Sequence, residues 1–350
     1  MSLNRRSFGT TGDGTPVELF TLANGAGMEA DICTYGGALV RLTAPDRDGV
    51  PADVVLGYDD LDGYLNDACC FGRLVGRVAN RIGGARLVLD GETFALDRND
   101  GRNHLHGGSG GFHSRVWEAE PVETESGSGL ALTYKSRDGE QGYPGNLTVS
   151  AVYVLTGDGL RLDFSATTDR TTVVNLTAHP YFNLTGRPGT DCLDHILTIP
   201  AQRFLATNRE MIPTGDLAEV AGTPMDFRIG TAVGARLGQD FPPLAFGGGY
   251  DHCFVLDERN GLKLAGAVFE PRSGRGLEVW TTQPCVQFYS GNHIPEGLPG
   301  KGGAVYGERS GLCLEPQGFV DAPGHAAFPQ VTLRPGQICN QTILYNFFVK

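Results

Sequence analysis

The feature that most limits what this chain can fold into is a period of two, carried by short apolar runs and cut by glycine turns. Leu160-Arg161-Leu162-Asp163-Phe164-Ser165 alternates strictly between apolar and polar residues, as a strand does when one face meets a core and the other meets water. The turn Gly157-Asp158-Gly159 precedes it, and Leu147 to Leu155 before that turn is rich in Val, Tyr and Leu. Together these runs predict a hairpin. Leu130, Leu132 and Tyr134 alternate with Ala131, Thr133 and Lys135. Strand–turn units are predicted at 85–96, 262–270, 276–282 and 312–315, and a closing strand from Gln341 to Val349. With 51 glycines in 350 residues, turns are plentiful enough to end every short run. Convincing helices are scarce. The best candidate is the region Tyr58 to Tyr64, where Asp59 or Asp60 could cap a single turn. Nothing alternates as βαβ, and Gly107-Gly108-Ser109-Gly110-Gly111 lacks the Lys-Ser/Thr of a phosphate loop. The reading is an all-β sandwich or barrel, long enough to form one large domain.

Charge and cysteine usage narrow the partners. A formal net charge of -12 repels nucleic acid and anionic membranes, whose binding depends on Lys and Arg neutralising phosphates. A neutral small molecule is compatible with it. No apolar run approaches the roughly 18 residues of a membrane span. The opening Met-Ser-Leu-Asn-Arg-Arg leads into a polar stretch, which does not read as a secretory signal. Cys33, Cys69, Cys70, Cys192, Cys253, Cys285, Cys313 and Cys339 contain no CxxC pair, and most sit in apolar strand-like contexts. They are expected to be buried free thiols in a reducing cytosol. On that reading the Asn-x-Thr triplets at Asn146, Asn175, Asn183 and Asn340 are chance matches.

Five segments place polar residues where turns do not require them. In Gly76-Arg77-Val78-Ala79-Asn80-Arg81-Ile82, Arg81 offers a rigid fork of donors and Asn80 both donor and acceptor. The pair suits sugar hydroxyls; a surface salt bridge is the competing reading. In Asn103-His104-Leu105-His106-Gly107-Gly108, a His-x-His on a strand puts both rings on one face. That could begin a metal site, yet no third ligand declares itself nearby. In Asn175-Leu176-Thr177-Ala178-His179-Pro180-Tyr181-Phe182-Asn183-Leu184, Pro180 holds a titratable ring in extended backbone among aromatics. In Gly249-Tyr250-Asp251-His252-Cys253-Phe254, Asp251 precedes an apolar strand and could cap a turn or accept from two hydroxyls. In Gly311-Leu312-Cys313-Leu314-Glu315-Pro316-Gln317, a carboxylate follows a buried strand, which is costly unless it is paired or used. Desolvation there makes it a stronger base.

Taken together, these segments resemble the aldose 1-epimerase (galactose mutarotase) family. The resemblance extends to Thr34-Tyr35-Gly36-Gly37, Val54-Val55-Leu56-Gly57-Tyr58 and the stretch Thr281-Thr282-Gln283-Pro284 to Gly291-Asn292. It implies one aldose 1-epimerase domain over residues 1–350: a large twisted antiparallel β-sandwich with few short helices, a cleft on one face, and no metal or organic cofactor. By motif match it implies His179 as general acid, Glu315 as general base and His106 as a second active-site histidine. It puts Asn80, Arg81, Asp251 and Gln287 on sugar-binding positions, with Tyr181 bordering the site from the same face as His179. The expected partner is a free sugar, and the expected assembly a monomer or weak homodimer.

The implied chemistry interconverts anomers of a cyclic hemiacetal. Opening needs a proton delivered to the ring oxygen and another removed from the C1 hydroxyl, so one acid and one base suffice. His179 and Glu315 are expected on one concave face, about a sugar ring apart and too far for a direct hydrogen bond. His106, Arg81, Asp251 and Gln287 should line the same cleft. Two alternatives stay open: an epimerase of phosphorylated hexoses, which would need extra Lys or Arg near the cleft, with the directions of Arg73, Arg77 and Arg86 not set by the sequence, and a carbohydrate-binding sandwich without catalysis. A glycosidase would normally use two carboxylates, and only one stands out.

Overall fold

The computed structural model describes residues 2–124, 127–257 and 260–350. Antiparallel sheets account for nearly all of its regular structure, and the described residues contain two short α-helices. The larger layer is a nine-stranded sheet in the order Glu118–Thr124, Gly127–Ser136, Leu147–Leu155, Gly159–Thr168, Cys339–Val349, Arg275–Thr281, Lys263–Phe269, Ile196–Thr198, Thr231–Ala232. The hairpin read from Gly157-Asp158-Gly159 forms its third and fourth strands, with Leu155 opposite Leu160. The closing strand is inserted between Gly159–Thr168 and Arg275–Thr281, so the chain end locks the middle of the sheet.

Two five-stranded sheets share the core of this layer. One joins Ser2–Thr10, Pro16–Ala23, Glu29–Cys33, Leu39–Pro45 and Pro51–Asp53. Its Phe20, Leu22, Ile32 and Leu42 pack into the same cluster as Leu130, Leu132 and Tyr153. The other runs Pro213–Glu219, Arg203–Thr207, Asp251–Val255, Cys285–Tyr289, Cys313–Gln317. Its Phe204, Phe254, Val286, Phe288 and Leu314 meet Leu277, Val279, Ile343 and Tyr345 of the large sheet in that cluster. Each such side chain contributes about 1.5–3 kcal/mol when fully buried, so the register of the second sheet is strongly held. A one-residue slip would turn its apolar set outward.

The expected helical turn forms at Leu61–Leu65, where Asp60 is the N-cap and accepts from the Gly63 N–H. It begins three residues later than the start of the region read from sequence. The second helix, Pro242–Gly247, was not anticipated; a proline in its first turn and Gly248 at φ 65° after its end mark its limits. All eight cysteines are free: Cys33, Cys192, Cys253, Cys285 and Cys313 are buried, and Cys69, Cys70 and Cys339 are partly so. No helix among the described residues is long and apolar enough to cross a membrane.

Candidate active site

The strand register of the smaller sheet creates the site. Asp251 lies opposite Tyr289, Cys253 opposite Gln287, Gln287 opposite Glu315, and Tyr289 opposite Cys313. Residues directly opposite each other share a face, and alternation sends Phe254, Val286, Phe288 and Leu314 to the other face and into the core. One apolar face thus pins a second face carrying Asp251, Gln287, Tyr289, Cys313 and Glu315.

His179 reaches this face from the segment after the two-residue strand Thr177–Ala178, which pairs with Leu74–Val75. Backbone bonds from His179 N–H to Arg73 O and from Gly72 N–H to His179 O, both 2.9 Å, fix its position. Its ring stacks on Tyr181 at 4.9 Å between centroids and 14° between planes. The Tyr181 hydroxyl donates to Cys69 O at 2.9 Å. His179 and Glu315 converge: Nε2 and Oε2 are 3.6 Å apart, with both side chains buried. The two do share one concave face, but not at the separation of a sugar ring. The expected separation of a sugar ring is too long because the two hemiacetal oxygens sit on one carbon, so the acid and base need only reach neighbouring atoms.

A second pairing brings in Asn80, Arg81 and His106. Ile82 and Arg81 pair with His104 and Leu105. His106 then turns to φ 53°, as Asn80 does at φ 60°. Gly107 follows at φ 83°, and a Cβ there would lie 1.8 Å from the Gly76 carbonyl oxygen, so this turn admits only glycine. The turn separates the two histidines, and the expectation that both rings share a face fails. His104 points inward, its Nε2 on the Tyr143 hydroxyl and its Nδ1 on Asp97 O, both at 2.7 Å. His106 faces the cleft, with its ring 5.4 Å from that of His179. The Asn80 N–H donates to His106 Nδ1 at 3.2 Å, which assigns the ring proton to Nε2. The two left-handed non-glycine residues carry strain of order 1–3 kcal/mol each, a cost concentrated at this site.

Arg81 is an ion-paired group as well as a cleft residue. Its Nε donates to Asp100 at 2.8 Å, and its Nη1 lies 3.7 Å from Asp251. Asp251 also accepts from Gln287 Nε2 at 2.6 Å. Gln287 therefore stands behind Asp251 and holds it, while the cleft itself is lined by Asn80, Arg81, His106, His179, Tyr181, Asp251 and Glu315. Tyr289, His293, Cys69 and Cys70 also line it and were not singled out as site residues from sequence. Tyr289 was legible, being two residues after Gln287 on one strand; His293 and Asp100 carry no local signal. Arg73 is buried against Asp67. Arg77 donates to Ser136, Pro144 and Arg137, and Arg86 to Thr93. None of the three lines the cleft.

The cleft has a volume of about 220 Å³, below the roughly 300–1,000 Å³ of pockets for drug-sized ligands. A larger hollow of about 560 Å³ lies elsewhere, among Asp46, Arg187, Asp191, Glu270 and Arg275. Arg275 there is occupied by the carbonyls of Ala44, Thr185 and Val50. The hollow also holds His195 near Glu270, Asp191 and Asp194, but His195 Nε2 accepts from the Leu184 N–H at 2.8 Å and Glu270 accepts from the Arg272 and Ser273 N–H groups, so these groups are committed to backbone and the smaller cleft is the chemical site.

Burial sets the proton affinities. It pushes Glu315 well above the usual carboxylate range, with the Asp251 charge adding to the effect. It lowers His179 to about 4 and holds His106 well below its ordinary value, with His179 as a further cause. Burial thus favours the neutral form of both groups, a protonated carboxyl at Glu315 and an unprotonated imidazole at His179.

Comparison with known proteins identifies the family of the chain. A sequence model described as Aldose 1-epimerase matches residues 18–346. The chain is 42% identical over 351 residues to the galactose mutarotase of Bos taurus, covering 100% of this chain and 99% of that protein. It is 36% identical over 342 residues to the aldose 1-epimerase of Escherichia coli K12, covering 97% of each. The crystal structure of galactose 1-epimerase from Lactobacillus acidophilus superposes with a TM-score of 0.86 at 29% identity, covering 99% of both chains. An aldose epimerase homologue from C. elegans gives 0.85 at 29%, covering 95% of this chain and 98% of that one.

Proposed function

We propose that this chain, which belongs to the aldose 1-epimerase family, interconverts the α and β anomers of free aldohexoses such as glucose and galactose. The observation that carries the reading is the 3.6 Å approach of His179 to Glu315 inside a small polar cleft. His179 delivers a proton to the ring oxygen while Glu315 takes one from the C1 hydroxyl. The ring opens, the C1 carbonyl turns over about the C1–C2 bond, and closure runs both transfers backward. The pair is regenerated without a co-reactant. Burial favours these roles: a protonated imidazole with its affinity lowered to about 4 is a strong acid, and a carboxylate whose affinity is raised is a strong base. The reactive form is the less populated one, and its reactivity offsets its scarcity.

Arg81, Asp251 and His106 grip hydroxyls away from C1, and Asn80 and Tyr181 bound the same space. Gln287 and Asp100 hold Asp251 and Arg81 in place. A neutral sugar is favoured over a phosphorylated one: Arg81 is the one Arg or Lys among the described residues lining the cleft, and it is already paired with carboxylates. The reading takes residues 1–350 as one domain acting on free sugar. Eight free thiols support a reducing cytosolic setting.

Polarimetry on freshly dissolved α-glucose, galactose, xylose and glucose 6-phosphate tests this. Catalysed mutarotation of the free sugars, with little on the phosphate ester, is expected. Sugar binding without acceleration would leave a carbohydrate-binding sandwich; preference for the phosphate ester would overturn the neutral-substrate assignment.

A further inference from the structure

The acid–base pair has a third neighbour that the reaction does not use. Cys313 and Glu315 are two residues apart on the strand Cys313–Gln317, so their side chains leave the same face. Cys313 Sγ lies 3.5 Å from His179 Nδ1, on the ring edge away from the Nε2 that approaches Glu315. One ligand atom from each of the three residues lies within 4.8 Å of the other two. All three side chains are buried, so a flexible tail is not holding them together by chance.

We propose that Cys313, His179 and Glu315 form an inhibitory binding site for Zn²⁺. Four-coordinate zinc, with bonds of about 2.0–2.3 Å, keeps neighbouring donors roughly 3.3–3.8 Å apart. One zinc binds one imidazole nitrogen, and Nδ1, 3.5 Å from Cys313 Sγ, supplies an edge of that length; one donor from each residue lies within 4.8 Å of the other two, so the longest edge has to shorten by about 1 Å at most. A thiolate, an imidazole and a single carboxylate suit a borderline-soft ion. They do not suit Mg²⁺ or Ca²⁺, which require several oxygens. Three protein ligands leave a fourth position for water from the cleft. Binding forms one bond to sulfur, and the thiol proton leaves to solvent together with any proton on the carboxyl; nothing is oxidised.

The consequence rests on the mutarotase reading: a bound ion occupies the imidazole lone pair and the carboxylate at once, so both proton-transfer groups are lost together. Zinc therefore switches the site off, and a chelator restores it. This is opposite to a cofactor, since chelation of the metal-free protein leaves turnover unchanged.

The full chain is titrated with zinc against a chromogenic chelator, with Co²⁺ as a spectroscopic substitute, and mutarotation is followed in parallel. One inhibitory zinc per chain is expected, reversed by EDTA, with a sulfur-to-cobalt absorption band. Cys313→Ser should weaken zinc binding by about 100-fold, at or beyond the upper end of what losing an outer partner of a metal site costs. Cys69→Ser and Cys70→Ser, at thiols that line the same cleft, should leave zinc affinity unchanged. Wild-type zinc affinity in Cys313→Ser, an absent cobalt–sulfur band, or bound zinc without inhibition of an active enzyme would each overturn the site. If mutarotation itself is absent, the binding and cobalt measurements still decide the site, so the two readings fail separately.

Discussion

Replacing Glu315 by Gln removes the proposed base and little else. The side chain keeps its length and planar end, and Glu315 is fully enclosed opposite Gln287, so the cleft wall stays in place. What is lost is a proton acceptor whose affinity burial has raised. Neighbouring His179, lowered to about 4, is too weak a base to substitute. General-base catalysis is worth about 10²–10⁴-fold, which corresponds to roughly 2.7–5.4 kcal/mol of barrier. Polarimetric turnover on α-glucose should therefore fall by at least about two decades. Stability should move the other way. The folded chain holds the Glu315 proton to higher pH than the unfolded chain does, so wild-type stability is complete below the ordinary carboxyl value and declines as pH rises through the folded value. Glutamine has nothing to ionise. The variant should melt with the wild type below about pH 4.5 and above it at alkaline pH. A folded Glu315→Gln protein turning over within about tenfold of wild type would refute the base assignment, and identical melting profiles across pH would refute the buried-carboxyl argument.

Two further outcomes follow from other groups. His179→Asn keeps size and polarity but loses the transferable proton, so turnover should drop about 10²-fold or more while calorimetric sugar binding persists; lost binding with proportionate turnover would make His179 a grip rather than an acid. Arg77→Met should leave the Ser136, Pro144 and Arg137 acceptors of a buried guanidinium unpaired, costing about 3–5 kcal/mol. At about 2.1 cal/mol/K per residue, 350 residues carry about 0.7 kcal/mol/K, so the melting midpoint should fall about 4–7 °C, and an unchanged midpoint would show that the network contributes nothing.

Much of this molecule was determined by local sequence. The alternation at 160–165, its glycine turn and the partner run 147–155 became a hairpin inside the large sheet, because period two is a property of neighbouring residues. The single helical turn with its Asp60 cap is local for the same reason. The segments with polar residues out of place marked the cleft: Asn80, Arg81, His106, His179, Tyr181, Asp251 and Glu315 all line it. Their geometry was decided by pairings between distant parts of the chain. Whether Gln287 faces the cleft or backs Asp251 depends on where the strands Asp251–Val255 and Cys285–Tyr289 align. The parting of His104 from His106 depends on a left-handed backbone at His106, which no spacing rule reports. The 3.6 Å approach of His179 to Glu315 and the 3.5 Å approach of Cys313 to His179 exist only because a loop anchored on Arg73 meets the edge strand of another sheet. Side-chain type and period are written residue by residue, whereas a distance across a cleft belongs to the packing of a core that no segment contains alone.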